Sequence, residues 1–442
     1  MTDLPEYSSR LAGILLAGLL CSACGSSSSS QPGGSGSPPS DLRFVAFQSD
    51  ATNLVAGDTN GNTDIFMRDI VANTTARISL NSTSGQLTNY SALASLTPDA
   101  RFMAFAYGGG PDIIPGITGE HVYVRDLQTG VIDASPILAG RTGIGGPSIS
   151  ANGRYVAFYS FSTTPPSNSD VFIWDRTTGA IQWASAAPGG VQGTGGNCYD
   201  PKISADGNFV AFRSLMSDLV PGDTNGVYDV FVFDRVQSTL QRVSVSSAGV
   251  QGNNISEGPS LSGDGRYVLF RSYATNLVAG DTNGMDDFFV RDRVAGTTER
   301  VSVSSSGAQG SAGGSLANTL SSISTDGRYV AFPHGSPDLV ANDTNGKVDV
   351  FVRDRVAGTT VRVSVATGGV EGNGDCEHAS IYPGGRWVAF QSSATNLVAG
   401  DTNGKLDIFL HDLQTGVTSR LSVSTAGVES DDDSRLPRAS SP

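Results

Sequence analysis

Thr325-Asp326-Gly327-Arg328-Tyr329-Val330-Ala331-Phe332 joins an Asp-Gly turn to a short, wholly apolar run. Asp-Gly accepts positive φ and is a strong hairpin signal. The apolar run recurs as Phe44-Val45-Ala46-Phe47, Phe102-Met103-Ala104-Phe105, Tyr155-Val156-Ala157-Phe158 and Phe209-Val210-Ala211-Phe212. It returns as Tyr267-Val268-Leu269-Phe270 and Trp387-Val388-Ala389-Phe390, making seven copies whose last Phe residues lie 58, 53, 54, 58, 62 and 58 positions apart. A period of this length carrying only β signals implies radial repetition, and seven units predict a seven-bladed β-propeller, an all-β fold.

Each unit reads as four strands. The first resembles Pro259 to Ser262 and ends at the turn Asp264-Gly265; the second is the apolar phrase. The third is typified by Asp349 to Asp354 and the fourth by Arg300 to Ser304, both alternating as half-buried strands do. Unit one begins at its second strand, after Pro38-Pro39-Ser40. Leu436-Pro437-Arg438-Ala439-Ser440 stands in the register of a first strand, so the C-terminal segment is expected to complete blade one and remove the free sheet edges.

The composition agrees. Charged residues are 16 %, hydrophobic residues 38 %, and Gly numbers 55, which suits short strands and tight turns better than long helices. A net charge of −14 argues against a nucleic-acid partner, since phosphate binding needs clustered Lys and Arg.

Residues 1–23 read as an export leader. Leu11 to Leu20 has the length of a signal-peptide apolar core and is too short to span a bilayer. It runs into Cys21-Ser22-Ala23-Cys24-Gly25, where small residues precede a cysteine as in the bacterial lipobox. Cys24 is the expected lipidation site. Residues 24–41 are a Ser/Gly/Pro-rich tether with no means of burying a core, and 42–442 are the propeller.

Residues 325–332 and Asp64-Ile65-Phe66 resemble the TolB-type propeller repeat, whose signature is a Pro-Asp-Gly-like turn, an Ile-Ala-Phe-like strand and an Asp-Ile-Tyr-like strand. The resemblance covers nearly all of residues 42–442 and implies the fold. It implies no single activity, because such propellers serve as scaffolds, receptors, lyases and peptidase gating domains.

The most repeated polar motif is Asp-Thr-Asn-Gly-x-x-Asp, between strands two and three of five units. Its copies carry Asp58, Asn60 and Asp64; Asp223, Asn225 and Asp229; Asp281, Asn283 and Asp287; Asp343, Asn345 and Asp349; and Asp401, Asn403 and Asp407. Asp-x-Asn-Gly loops suit calcium, which wants six or more oxygens. The first carboxylate of the propeller calcium pattern is absent, with Ala56, Pro221, Ala279, Ala341 and Ala399 in its place. The favoured reading is therefore a turn, with Asn-Gly making the hairpin and the Asp side chains accepting backbone N–H bonds. No cofactor is expected to be required, calcium being the one candidate.

Cys198 and Cys376 hold the same repeat position in blades four and seven, nearly opposite in the ring, so free, partly buried thiols are expected. That position opens the innermost strand. Its neighbours Tyr199, Asp200, Glu257, Glu377, His378 and Arg435 are expected to ring one mouth of the central channel as a solvated acidic rim and candidate ligand site. Strand alternation should point Cys376, Glu377 and His378 to alternate faces and so speak against a metal cluster.

No Gly-x-Ser-x-Gly elbow, His-Glu-x-x-His, phosphate loop or sialidase-type Asp box appears, and no catalytic residue is assigned. The expected function is an exported, lipid-anchored, monomeric binding or scaffold module for an envelope protein or a glycan, at the outer membrane, periplasmic face or cell surface. The alternatives are a polysaccharide lyase or hydrolase acting at the channel mouth and a calcium-stabilised extracellular structural protein.

Overall fold

A computed structural model of the chain describes residues 42–89, 91–107, 113–165, 167–313 and 320–439. The expected leader, Cys24 and tether lie outside the described residues, as do 440–442. Seven four-stranded antiparallel sheets form the blades of a β-propeller. Blade four is typical, with Cys198–Ile203 innermost, then Phe209–Ser214, Asp229–Asp234 and Thr239–Arg242. Blade one takes its innermost strand, Ser434–Ala439, from the C-terminus and pairs it with Phe44–Ser49 in the register Ala46↔Arg438 and Gln48↔Arg435. The expected closure is therefore present, reinforced by Ser49 Oγ and Ser434 Oγ at 2.9 Å.

The second strand is apolar without alternation because neighbouring blades cover both of its faces. Val210, Ala211 and Phe212 are all fully buried, as are their counterparts Val268, Leu269 and Phe270. Within a blade the closing Phe stacks on a Phe of the third strand, Phe212 on Phe231 at 5.9 Å and Phe390 on Phe409 at 5.8 Å. Such pairs add about 0.5–1.5 kcal/mol each beyond the area they bury.

The Asp-Gly turn couples blade to blade. Gly265 has φ +66°, and a Cβ there would come within 2.4 Å of the Phe209 ring in blade four. Gly327 stands in the same relation to Tyr267, where the clash would be at 2.1 Å. Glycine is thus required twice at this point, for its backbone conformation and for the approach of the next blade. Asp264 completes the turn by accepting from Ser262 Oγ at 2.7 Å and from the Arg266 backbone N–H at 3.0 Å.

Two strand boundaries differ from expectation. The fourth strand of blade five is Thr297–Arg300, ending where the sequence pattern has it begin. The alternating Val301-Ser302-Val303 that follows already leaves the blade. Ser302 Oγ donates to the buried Asp287 at 2.6 Å, and Val303 bridges to Gln309. The first strand of that blade is Ser256–Leu261, starting earlier than Pro259 and broken by a register shift between Glu257 and Ser260.

Candidate binding site in the central channel

In the five Asp-Thr-Asn-Gly loops an arginine of the fourth strand stands between the two carboxylates. Arg77 lies 3.3 Å from Asp58 and 3.4 Å from Asp64. Arg242 meets Asp223 at 3.3 Å and Asp229 at 3.8 Å, and Arg300 meets Asp281 at 3.5 Å and Asp287 at 3.2 Å. Arg362 holds Asp343 and Asp349 at 3.0 and 3.2 Å, and Arg420 holds Asp401 and Asp407 at 3.1 and 3.3 Å.

The asparagine makes the turn, Asn60 Oδ1 accepting the Asn62 N–H at 2.9 Å, with Asn225, Asn283, Asn345 and Asn403 doing the same for residues 227, 285, 347 and 405. The expected backbone donors to the aspartates are mostly replaced by side chains: Gln86 Nε2 donates to Asp58 at 2.8 Å and Ser79 Oγ to Asp64 at 2.6 Å. With a guanidinium already between the carboxylates, this donor set does not fit calcium. Among the described residues no group of three His, Cys, Asp or Glu side chains could hold a metal ion.

At the channel mouth six of the seven inner strands carry a bulge, the described part of blade six's inner strand, Ser322–Ile323, pairing without one. Asp200, His378 and Leu436 have φ of +57°, +52° and +53°, and Gly146 and Gly258 occupy the same step at +61° and +60°. The bulge turns that residue toward the axis and interrupts the alternation expected for Cys376, Glu377 and His378. Cys376 is fully buried, while His378 Nε2 lies 3.7 Å from Glu377 Oε2.

The mouth is charge-paired rather than a solvated acidic rim. Arg213 meets Asp200 and Glu257, each at 2.7 Å, and Arg271 joins Glu257 at 3.7 Å and Asp286 at 2.6 Å. Glu377 accepts from Gln391 Nε2 at 3.0 Å and its pKa is raised by burial, then by Asp375. Arg435 pairs with Asp50 at 2.7 Å and with Asp433.

Beyond the mouth lies a cavity of about 440 Å³. Of the residues singled out in the sequence, Tyr199, Asp200 and His378 line it; Glu257 borders a smaller neighbouring hollow with Asp200, Arg213 and Arg271. Glu377 and Arg435 line neither. Tyr199 sits edge-on to Tyr159 at 5.4 Å, with the Arg213 guanidinium 5.5 Å from its ring centre.

The sequence reading missed the two residues that dominate the cavity electrostatically, Lys202 and Arg438. Burial, then the charge of Arg438, pushes the Lys202 amine down to about 8, and burial lowers Arg438 to about 10. Neither side chain makes a hydrogen bond or salt bridge among the described residues. His378 is pushed down to about 4 by burial, then by Arg438, so it is neutral at pH 7. Its Nδ1 accepts the Leu320 N–H at 3.1 Å, which assigns the proton to Nε2 and makes that nitrogen a donor.

The thiols are free, as expected, but wholly rather than partly buried. Cys198 and Cys376 each contact a serine, Ser214 and Ser392, at 3.2 Å, where blade five pairs Ser256 with Ser272 at 2.9 Å. Burial pushes both thiols up to about 12, which leaves them inert.

No protein-family model matches the sequence, and no curated protein matches it. The structure is similar to that of a prolyl endopeptidase, with a TM-score of 0.54 and 13 % identity over 87 % of this chain and 49 % of that one. It is similar to the acylaminoacyl peptidase of Pyrococcus horikoshii, with a TM-score of 0.52 and 11 % identity over 88 % and 52 %. TolB from Acinetobacter baumannii has a TM-score of 0.43 and 15 % identity over 72 % and 63 %. The chain thus spans about half the length of either peptidase and less than two thirds of that TolB. The fold is a seven-bladed β-propeller closed by the C-terminal strand.

Proposed function

We propose that the protein is an exported binding module, lipid-anchored through Cys24 and held on the tether 24–41, whose propeller engages an envelope protein or a glycan at the channel mouth. It acts as a monomer in the bacterial envelope, without catalysis and without a required cofactor. The observation that carries this reading is the fate of the ionisable groups at the mouth. Asp200, Glu257 and Asp286 are tied to Arg213 and Arg271. A carboxylate held in an ion pair is a poor general acid at neutral pH, whereas a rigid array of paired charges suits recognition.

The test is to crosslink the anchored protein in its native envelope, capture it, and identify what co-purifies, in parallel with the Asp200→Ala, Glu257→Ala, Glu377→Ala variant. A stoichiometric partner lost in the variant supports the reading; empty captures from both overturn a stable protein-binding role. One observation favours the lyase alternative, since an amine lowered to about 8, as at Lys202, can act as a base. Release of unsaturated ends from uronic-acid polymers would replace the binding reading with that one.

A further inference from the structure

The inner strands of the seven blades share one position that faces the third residue of the apolar phrase. In five blades it is a serine: Ser95 opposite Ala104, Ser148 opposite Ala157, Ser260 opposite Leu269, Ser322 opposite Ala331 and Ser380 opposite Ala389. In the other two it is Lys202 opposite Ala211 and Arg438 opposite Ala46.

The serine has a structural task. Ser95 Oγ accepts the Ile149 N–H of the next blade at 3.2 Å and Ser148 Oγ that of Ile203 at 3.1 Å. Ser260 Oγ accepts from Ile323 at 3.4 Å and Ser322 Oγ from Ile381 at 2.7 Å. These bonds form a belt that ties neighbouring inner strands together around the channel. Lys202 and Arg438 interrupt it, and each replaces a small neutral donor–acceptor with a cation.

That exchange costs stability on two counts. A bond between blades is given up, and two like charges are enclosed near enough to lower the Lys202 pKa. Among the described residues only the charge of Asp200 offsets the loss, and in part, by acting on Lys202. The Asp200 carboxylate of the same cavity is held by Arg213, and the neutral His378 presents a donor instead of an acceptor. The lining is therefore net positive inside a chain of net charge −14. Departures from a repeated local rule at a structural cost mark functional positions.

We propose that the central channel is a binding site for a small organic anion whose carboxylate or phosphate group sits between Lys202 and Arg438. The guanidinium fork and the ammonium match either group. The remaining wall, with Tyr159, Tyr199, Leu320 and Leu436, suits an organic body better than a bare inorganic ion. The inference rests on the reading of the propeller as a binding module and names the class of ligand.

The test is calorimetric titration of the full chain at pH 7 with glucuronate, with inorganic phosphate and with uncharged glucose. The expected result is saturable binding of at least one anion with a Kd below about 1 mM, and none of glucose. Tighter glucuronate identifies a carboxylate on a ring body; tighter phosphate identifies a phosphate ligand. Lys202→Ser and Arg438→Ser, which install the residue of the other five blades, are each expected to weaken binding about tenfold or more. Wild-type binding should also fall above about pH 8, as Lys202 loses its proton beside Asp200, Arg213, His378 and Arg438, and should stay flat there in Lys202→Ser.

Binding of neither anion below about 10 mM, or unchanged binding in both variants, overturns the site. Anion binding accompanied by release of unsaturated ends would overturn the non-catalytic reading and leave the site standing. A captured envelope partner without anion binding would do the reverse.

Discussion

The five Asp-Thr-Asn-Gly loops and the central channel use charge in opposite ways. In the loops two aspartates of each repeat close on an arginine of the same blade, as Arg420 does on Asp401 and Asp407 at 3.1 and 3.3 Å. In the channel two cations from different blades have, among the described residues, no carboxylate bonded to either. A charge placed for the fold finds its partners within the chain, a counter-charge in these loops or backbone carbonyls as Arg125 does with Leu80 and Asn81, because an unpartnered buried charge costs several kcal/mol. A charge placed for a ligand leaves that partner to be supplied from outside. The same propeller thus sets the paired charges of its loops and channel mouth apart from Lys202 and Arg438 on its innermost strands.

The comparison breaks most severely at the seam, where closing strand and channel cation coincide. Deleting residues 430–442 removes Ser434–Ala439 and Arg438 together and leaves Phe44–Ser49 as a free edge. The expected outcome is unfolding or oligomerisation, read by size-exclusion chromatography with a thermal melt. A truncated monomer with an unchanged melt would show that the ring does not depend on this strand.

Arg362→Met attacks a loop directly. It leaves Asp343, Asp349 and Glu371 without their shared cation and should cost about 3–5 kcal/mol in urea unfolding. A loss below about 1 kcal/mol would mean that the loop charges are not structural.

The loops of blades six and seven carry Glu371 and Glu429 where the others have glutamine, which sharpens the comparison through pH. Burial, then Asp349, raises Asp343 to about 6; burial, then Asp407, does the same for Asp401. A carboxyl raised above its unfolded value favours the fold when protonated, so this contribution is complete below about pH 4 and is lost as pH rises through 6. Asp343→Asn with Asp401→Asn should therefore gain stability over wild type at pH 7.5, with the gain vanishing by about pH 4. A loss at pH 7.5 would reverse the sign.

Smaller effects test what the loops do not do. Since Arg77, Arg242, Arg300, Arg362 and Arg420 stand between the carboxylates, melts in EDTA and in millimolar calcium should agree to within about 1 °C. A clear rise in calcium would restore the calcium-loop reading. Cys198 and Cys376 should resist alkylation in the native protein and react fully in denaturant; native labelling of either would contradict their burial.

Much of the fold is legible in the sequence because one phrase recurs with an Asp-Gly turn before it, and because residues 436–440 fit the register of a first strand. The fourth strand is misplaced because Val301-Ser302-Val303 continues the alternation after the blade has ended. Its hydroxyl serves the buried Asp287, which periodicity cannot reveal. The site is less legible. The bulges at Asp200, His378 and Leu436 put non-glycine residues at positive φ, which no local pattern announces, and they decide which side chains reach the axis. Lys202 and Arg438 look ordinary in a linear reading. Their meaning emerges only when the inner strands are set in register and five serines stand beside them.

The most direct test of that separation is the melting temperature of the Lys202→Ser, Arg438→Ser double variant in ligand-free buffer at pH 7. If the channel cations serve a ligand at the expense of the fold, restoring the serine belt should raise the melting temperature above wild type, by a stabilisation of about 1–2 kcal/mol or more. A double variant that melts below wild type would place these cations among the structural charges and contradict the account.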